Sequence, residues 1–161
     1  MNQKLFRFEV DQSIRVEELS GDTIVALANT ERKFTVILTA KVKKRLYERF
    51  RCLGQPKRFA PKVFSALIIF IIKNSGLKFT ELVIDIEYPG YEILITNCLS
   101  KYFPELLVYF SVIGKKSPAH YAAYGVHTKK SMADVAVTLK EILKLIWWKT
   151  KKTPRIVTHL D

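Results

Sequence analysis

Three strand-like runs follow one another within residues 5–38, and the links between them are too short to hold a helix. In LFRFEVD, Phe6, Phe8 and Val10 fall on one face, and Leu5, Arg7, Glu9 and Asp11 on the other. That is the period of two that a pleated strand imposes, and the extended chain carries on through residues 10–15. A Ser20-Gly21-Asp22 turn leads into DTIVALAN, and a second turn over residues 29–33 leads into FTVILT. A parallel pairing needs a crossover of about a dozen residues or more, so strands joined this closely form an antiparallel meander.

Downstream the period changes. AKVKKRLYERFRCL spaces Val42, Leu46, Phe50 and Leu53 at helical intervals and fills its other faces with Lys and Arg. After a loop with two prolines, KVFSALIIFIIKNSG reads as a buried helix stopped by Asn74-Ser75-Gly76. ELVIDIEY is a strand closed by a Tyr88-Pro89-Gly90 turn. YEILITNCLSKYF is a helix, LLVYFSVI a strand, and GKKSPAHYAAYGVHTKK a basic loop or irregular helical piece. SMADVAVTLKEILKLIWW is a strongly amphipathic helix, and TPRIVTHLD supplies a last short strand. The expected fold is α/β: a mixed sheet whose three-strand antiparallel meander is followed by αβαβα, with helices on both faces. No repeat or linker divides it, so residues 1–161 read as a single domain.

The chain holds 27 Lys and Arg against 15 Asp and Glu, a net charge of +12. Such an excess favours nucleic acid as partner over acidic lipid. The most apolar run, VFSALIIFII, is ten residues long, half of the roughly twenty that a bilayer span needs, so no membrane is expected. The N-terminus lacks signal-peptide architecture, and Cys52 and Cys98 match no metal spacing. They read as core thiols in a reducing compartment, and the protein as cytoplasmic. No Ser-His-Asp order, Gly-rich phosphate loop or Cys/His zinc set occurs. That argues against hydrolase triads, nucleoside triphosphatases and zinc fingers.

Four acids stand out. Glu9 and Asp11 share one face of the first strand, and Asp85 and Glu87 one face of the fourth. Asp85 has apolar neighbours on both sides, and a carboxylate buried in such a run needs a partner. If the two strands are neighbours the acids converge, and a cluster of like charge persists only with a bound cation or with protons taken up. All-oxygen ligands suit Mg²⁺ or Mn²⁺. Two such ions about 3.5–4 Å apart stabilise the attacking and leaving oxygens of a phosphodiester. The plainer alternative leaves Glu9 and Asp11 on a solvated face beside Arg7 and Arg15, and Asp85 and Glu87 at an exposed strand end.

The order of elements and these acids together resemble the ribonuclease H-like superfamily of nucleases and integrases, which includes RuvC-type resolvases. The likeness rests on the meander with Asp11 in FEVDQS, on Asp85 in LVIDIEY, and on a final helix led by Asp134 in SMADVAVTLKEIL; it covers nearly the whole chain. It implies a ribonuclease H-like fold, with Asp11, Asp85 and Asp134 as catalytic metal ligands. Two Mg²⁺ or Mn²⁺ ions and phosphodiester hydrolysis would follow. Two features depart from the pattern. Ser131-Met132-Ala133-Asp134 also fits a capping box, under which Asp134 merely closes a helix. Members usually carry a glutamate on the helix after the meander, but the acid found there, Glu48, falls opposite the apolar stripe and reads as an ion-pair partner of Lys44 and Arg45. Glu87 or Glu9 is left to supply the missing metal ligand. The alternative function is a catalytically inactive nucleic-acid-binding or interaction module on the same fold.

Two basic stretches are expected to meet the nucleic acid. Residues 41–62 hold nine Lys and Arg against one acid, and Lys43, Lys44, Arg51, Lys57 and Arg58 are the candidate phosphate contacts. GKKSPAHYAAYGVHTKK adds Lys115, Lys116 and His120. His120 could also shuttle a proton, or simply be solvated. An exposed Trp148 would mark a homodimer contact.

Overall fold

A computed structural model describes residues 6–147. Trp148 and the strand expected in TPRIVTHLD lie outside the described residues. Strands β1 (Arg7–Ser13), β2 (Thr23–Ala28) and β3 (Lys33–Leu38) pair antiparallel, with Asp11 opposite Ala26 and Ala26 opposite Thr35 in one row. Strand β4 (Glu81–Asp85) lies parallel to β1 on its other side, and β5 (Leu107–Ser111) lies parallel to β4. A two-residue β6 (Val135–Ala136) adds parallel to β3, which makes a six-stranded mixed sheet of order β5-β4-β1-β2-β3-β6.

Five helices pack on this sheet: α1 (Ala40–Cys52), α2 (Phe59–Ser75), α3 (Glu92–Ser100), α4 (Pro118–His127) and α5 (Leu139–Ile146). Every residue of β2 is buried, because both of its faces are covered. Val25 and Leu27 join the main core with Phe8, Val10, Leu82, Ile84 and the apolar run of α2. The alternate residues Ile24 and Ala26 pack instead with Ala122 and Ala123 of α4. Helix α2 is buried from Val63 to Ile71 because the sheet, α3 and α5 surround it. Each of its Leu, Ile and Phe side chains contributes about 1.5–3 kcal/mol by leaving water. Gly76 ends it at φ 68°, a left-handed cap that glycine adopts without strain.

Three expectations are corrected. The basic segment after β5, read as a loop or an irregular helical piece, holds a regular helix, α4. Ser117 caps it by accepting the Ala119 and His120 N–H groups, and Pro118 opens its first turn. The amphipathic helix expected from Ser131 begins only at Leu139. Val135 and Ala136 extend the sheet first, and the capping box is formed by Thr138 and Glu141, not by Ser131 and Asp134. The apolar stripe of α1 stops at Phe50: Leu53 is 58% exposed at the C-cap, and Cys52 is exposed rather than a core thiol, while Cys98 is half-buried. Among the described residues, no helix is long and apolar enough to cross a membrane.

A candidate metal centre

Parallel pairing of β1 with β4 sets Val10 beside Ile84, both pointing into the main core. Alternation then sends Glu9, Asp11, Val83 and Asp85 to the α4 side of the sheet. Glu87 follows β4 by two residues and turns back towards the same place. One carboxylate oxygen from each of Asp11, Asp85 and Glu87 lies within 4.8 Å of the others. Asp11 is only 4% exposed. Its Oδ1 accepts the Gln12 N–H at 2.8 Å, and its Oδ2 lies 3.1 Å from Nδ1 of His120 on α4. Asp85 Oδ1 accepts the Ile113 N–H at 2.7 Å.

The electrostatics follow from burial and crowding. Desolvation pushes the Asp11 carboxyl above its usual range, against the pull of the Gln12 N–H, and the Asp85 charge pushes it further. Glu87 is driven from 4.5 to about 7, first by burial and then by its hydrogen bond to Asp85 and the charges of Asp85 and Asp11. Near neutrality this cluster holds a proton that isolated carboxylates would have released.

A second layer holds Glu87 in place. Arg15 Nε lies 3.3 Å from Glu87 Oε2, and the same guanidinium donates to the Glu87 carbonyl. It also reaches Glu17 at 3.4 Å and lies 5.6 Å from the centre of the Tyr88 ring. The Tyr88 hydroxyl accepts from Gln12 Nε2 at 3.0 Å and from the Val16 N–H at 3.2 Å, and donates to Glu17 Oε2 at 3.1 Å. Arg15 is aimed there because Ile14, at φ 61°, breaks the extended path of β1. A β-branched residue in the left-handed region is strained and must be held by its surroundings. The Thr23 hydroxyl donates to the Ile14 carbonyl at 2.9 Å. Lys43, fully buried, donates to Thr23 Oγ1 at 3.0 Å, to the Glu18 carbonyl at 2.6 Å and to the Arg15 carbonyl at 3.4 Å. Burial pushes its ammonium below the usual lysine range. Lys43 is thus a brace for the β1–β2 loop, which corrects its assignment as a phosphate contact.

Three carboxylates suit a hard divalent cation better than the softer metals that favour Cys and His. On one octahedral Mg²⁺, neighbouring oxygens stand about 3 Å apart and opposite ones about 4.2 Å, so three oxygens within 4.8 Å of one another would have to draw together to share an ion. The residues present fit such an ion, with His120 adjoining.

Other expected site residues lie elsewhere. Asp134 hydrogen-bonds to Thr35, three strand spacings or about 14 Å from Asp11, and is not brought into the cluster. Glu9 accepts from the Ser117 hydroxyl at the start of α4 and stands outside the three-acid group. Glu48 pairs with Arg51 at 2.8 Å rather than with Lys44 or Arg45. Lys44, Arg51, Lys57 and Arg58 are exposed on α1 and the turn after it. Lys115 and Lys116 are exposed on the loop whose Ile113 N–H caps Asp85. The roles of Gln12, Arg15 and Tyr88 escaped the sequence reading, for no spacing rule announces a loop arginine that folds back onto another strand. Comparison of the sequence with protein-family models and with curated proteins finds no match.

Proposed function

We propose that the chain is a divalent-metal-dependent nuclease of ribonuclease H-like fold, cleaving phosphodiester bonds of nucleic acid with Mg²⁺ or Mn²⁺ as cofactor. The observation that carries this reading is the convergence of Asp11, Asp85 and Glu87 within 4.8 Å, with Glu87 raised to about 7. Arg15 pairs with Glu87 alone of the three acids, and a bound divalent cation would supply the further positive charge. The antiparallel meander with two parallel strands added beyond β1 supports the fold assignment.

A metal held there supplies Lewis-acid stabilisation of phosphate oxygens and a water of lowered pKa. The chain's own residues do the rest. Asp11 is oriented by the Gln12 N–H and by His120. Glu87 is oriented by Arg15. Lys115 and Lys116 offset backbone phosphates beside the acids. His120, at the edge of the site, is placed to accept or return a proton.

The test is purified protein with Mn²⁺ and single-stranded, duplex and hybrid substrates. Cleavage is expected, and Asp85→Asn should abolish it; cleavage that survives this change sinks the assignment. The second reading, a binding module without catalysis, is favoured by the distance of Asp134 from the acids. Salt-sensitive binding without cleavage would establish it instead.

A further inference from the structure

The sheet face that carries the acids is covered on one side only. Helix α4 packs over β1, β2 and β3. On β5, Val108 and Phe110 turn to the main core, while Leu107 and Tyr109 on the opposite face are 52% and 46% exposed. Tyr109 pairs with Val83, and Ser111 with Asp85. Tyr109 therefore lies on the face that carries the acids, one strand from Asp85 and two residues short of it in register. The Arg7 guanidinium lies 5.9 Å from the centre of that ring. Past Ser111 the chain runs directly to the exposed Lys115 and Lys116. Tyr109 on β5 and two cations on the loop after it thus follow one another along the strand that neighbours Asp85.

Strand β5 is also an edge of the sheet, and the run LLVYFSVI around it holds no charge and no proline. Edge strands are ordinarily guarded by such residues, so this one is suited to being covered in use. A second copy of the chain is a poor cover. The apolar area offered is small beside the roughly 800 Å² per partner of a stable interface, and a charge of +12 on each copy opposes association. The same charge attracts a polyanion.

We propose that this open half-face binds an unpaired stretch of nucleic acid, one base stacking on Tyr109 while adjoining phosphates reach Lys115 and Lys116. Single-stranded nucleic acid is then the substrate class of the site, a statement that rests on the nuclease reading for the role of the acids. An exposed ring stacks any base whose own face is free. In a duplex each base has neighbours on both faces, so only an unpaired stretch can use the plate.

The experiment is a fluorescence-anisotropy titration in EDTA with labelled oligo-dT and oligo-rU of about 15 nucleotides and with a duplex of equal length. Tighter binding of the single strands than of the duplex is expected. Tyr109→Ala should weaken single-strand binding by about 5- to 150-fold and leave the duplex nearly unchanged. Tyr109→Trp should retain binding, which separates stacking from a folding defect. No loss in Tyr109→Ala, or an equal loss for duplex and single strand, overturns the proposal. So does concentration-dependent dimerisation that Tyr109→Ala abolishes, which would give the face to a second copy. No divalent ion is present, so the outcome is independent of the Asp85→Asn cleavage test. Tyr109-dependent binding without any cleavage would remove the nuclease and keep the single-strand site.

Discussion

The Asp134 carboxylate accepts from both the backbone N–H and the hydroxyl of Thr35, at 2.8 and 3.2 Å, while the Asp134 N–H returns to the Thr35 carbonyl at 3.0 Å. This acid joins β6 to β3. Asp134→Asn should therefore lower stability by about 0.5–1.5 kcal/mol and leave Mn²⁺ affinity within about twofold, whereas Asp85→Asn should lose most of it. Thermal melts and a metal titration measure both. A tenfold loss of Mn²⁺ binding in Asp134→Asn would put the residue back at the centre.

Arg15 touches Glu87 through its side chain and its carbonyl. Removing it frees the glutamate to turn towards solvent. Arg15→Gln is expected to weaken Mn²⁺ binding by about 10- to 100-fold, the usual cost of losing an outer-shell partner. The double change with Glu87→Gln should be no worse than Glu87→Gln alone, because the two residues act as a unit. Additive losses would show that Arg15 works through something else.

Glu87 keeps its proton up to about pH 7 in the folded chain, against 4.5 for a free glutamate. The fold therefore binds the extra proton between those values. The associated stability is fully present below 4.5 and is lost as pH rises through about 7. Without metal, the wild type should lose more melting temperature than Glu87→Gln when pH rises from about 5 to about 8. Saturating Mn²⁺ should restore much of the loss, since the cation takes the proton's place. Parallel pH profiles for the two proteins would refute the assignment.

Lys43 and Lys44 are adjacent in sequence and opposite in surroundings. Lys43→Met removes the donor shared by Thr23 Oγ1 and the Arg15 and Glu18 carbonyls and should cost about 1–3 kcal/mol, read by denaturant unfolding. Lys44→Met should cost almost nothing. Neither the affinity nor the salt dependence of nucleic-acid binding should depend on Lys43. Lys115→Met should reduce the slope against log salt by about one.

What could be read from the sequence was whatever depends on neighbours along the chain. The meander, the buried α2 with its Gly76 stop and the parity that groups Glu9 with Asp11 all follow from local periodicity. Asp11 and Asp85 could be paired on paper because each interrupts an apolar alternation. Asp134 misled because an acid ahead of an apolar run looks the same whether it opens a helix or fastens a short strand, and only Thr35 decides. Lys43 misled for a related reason: a helix rich in Lys and Arg gives no sign that one ammonium faces the carbonyls of the β1–β2 loop. The α4 helix was hidden by its alanines, which are too small to make an apolar stripe yet are what lets the helix sit close on Ala26.

The parallel pairing of β1 with β4 joins Arg7 to Glu81 across 74 positions, and His120 lies 109 positions beyond Asp11. No fragment shorter than residues 11–87 contains the three acids. Closing so long a span precedes any benefit from the contact, which makes this the slow part of folding. During synthesis the first three strands emerge with Asp11 alone, and the ribosome must release the chain past Glu87 before the three acids can meet. A growing polypeptide thus has no acid cluster until β4 has paired with β1, when more than half of the 161 residues have been made.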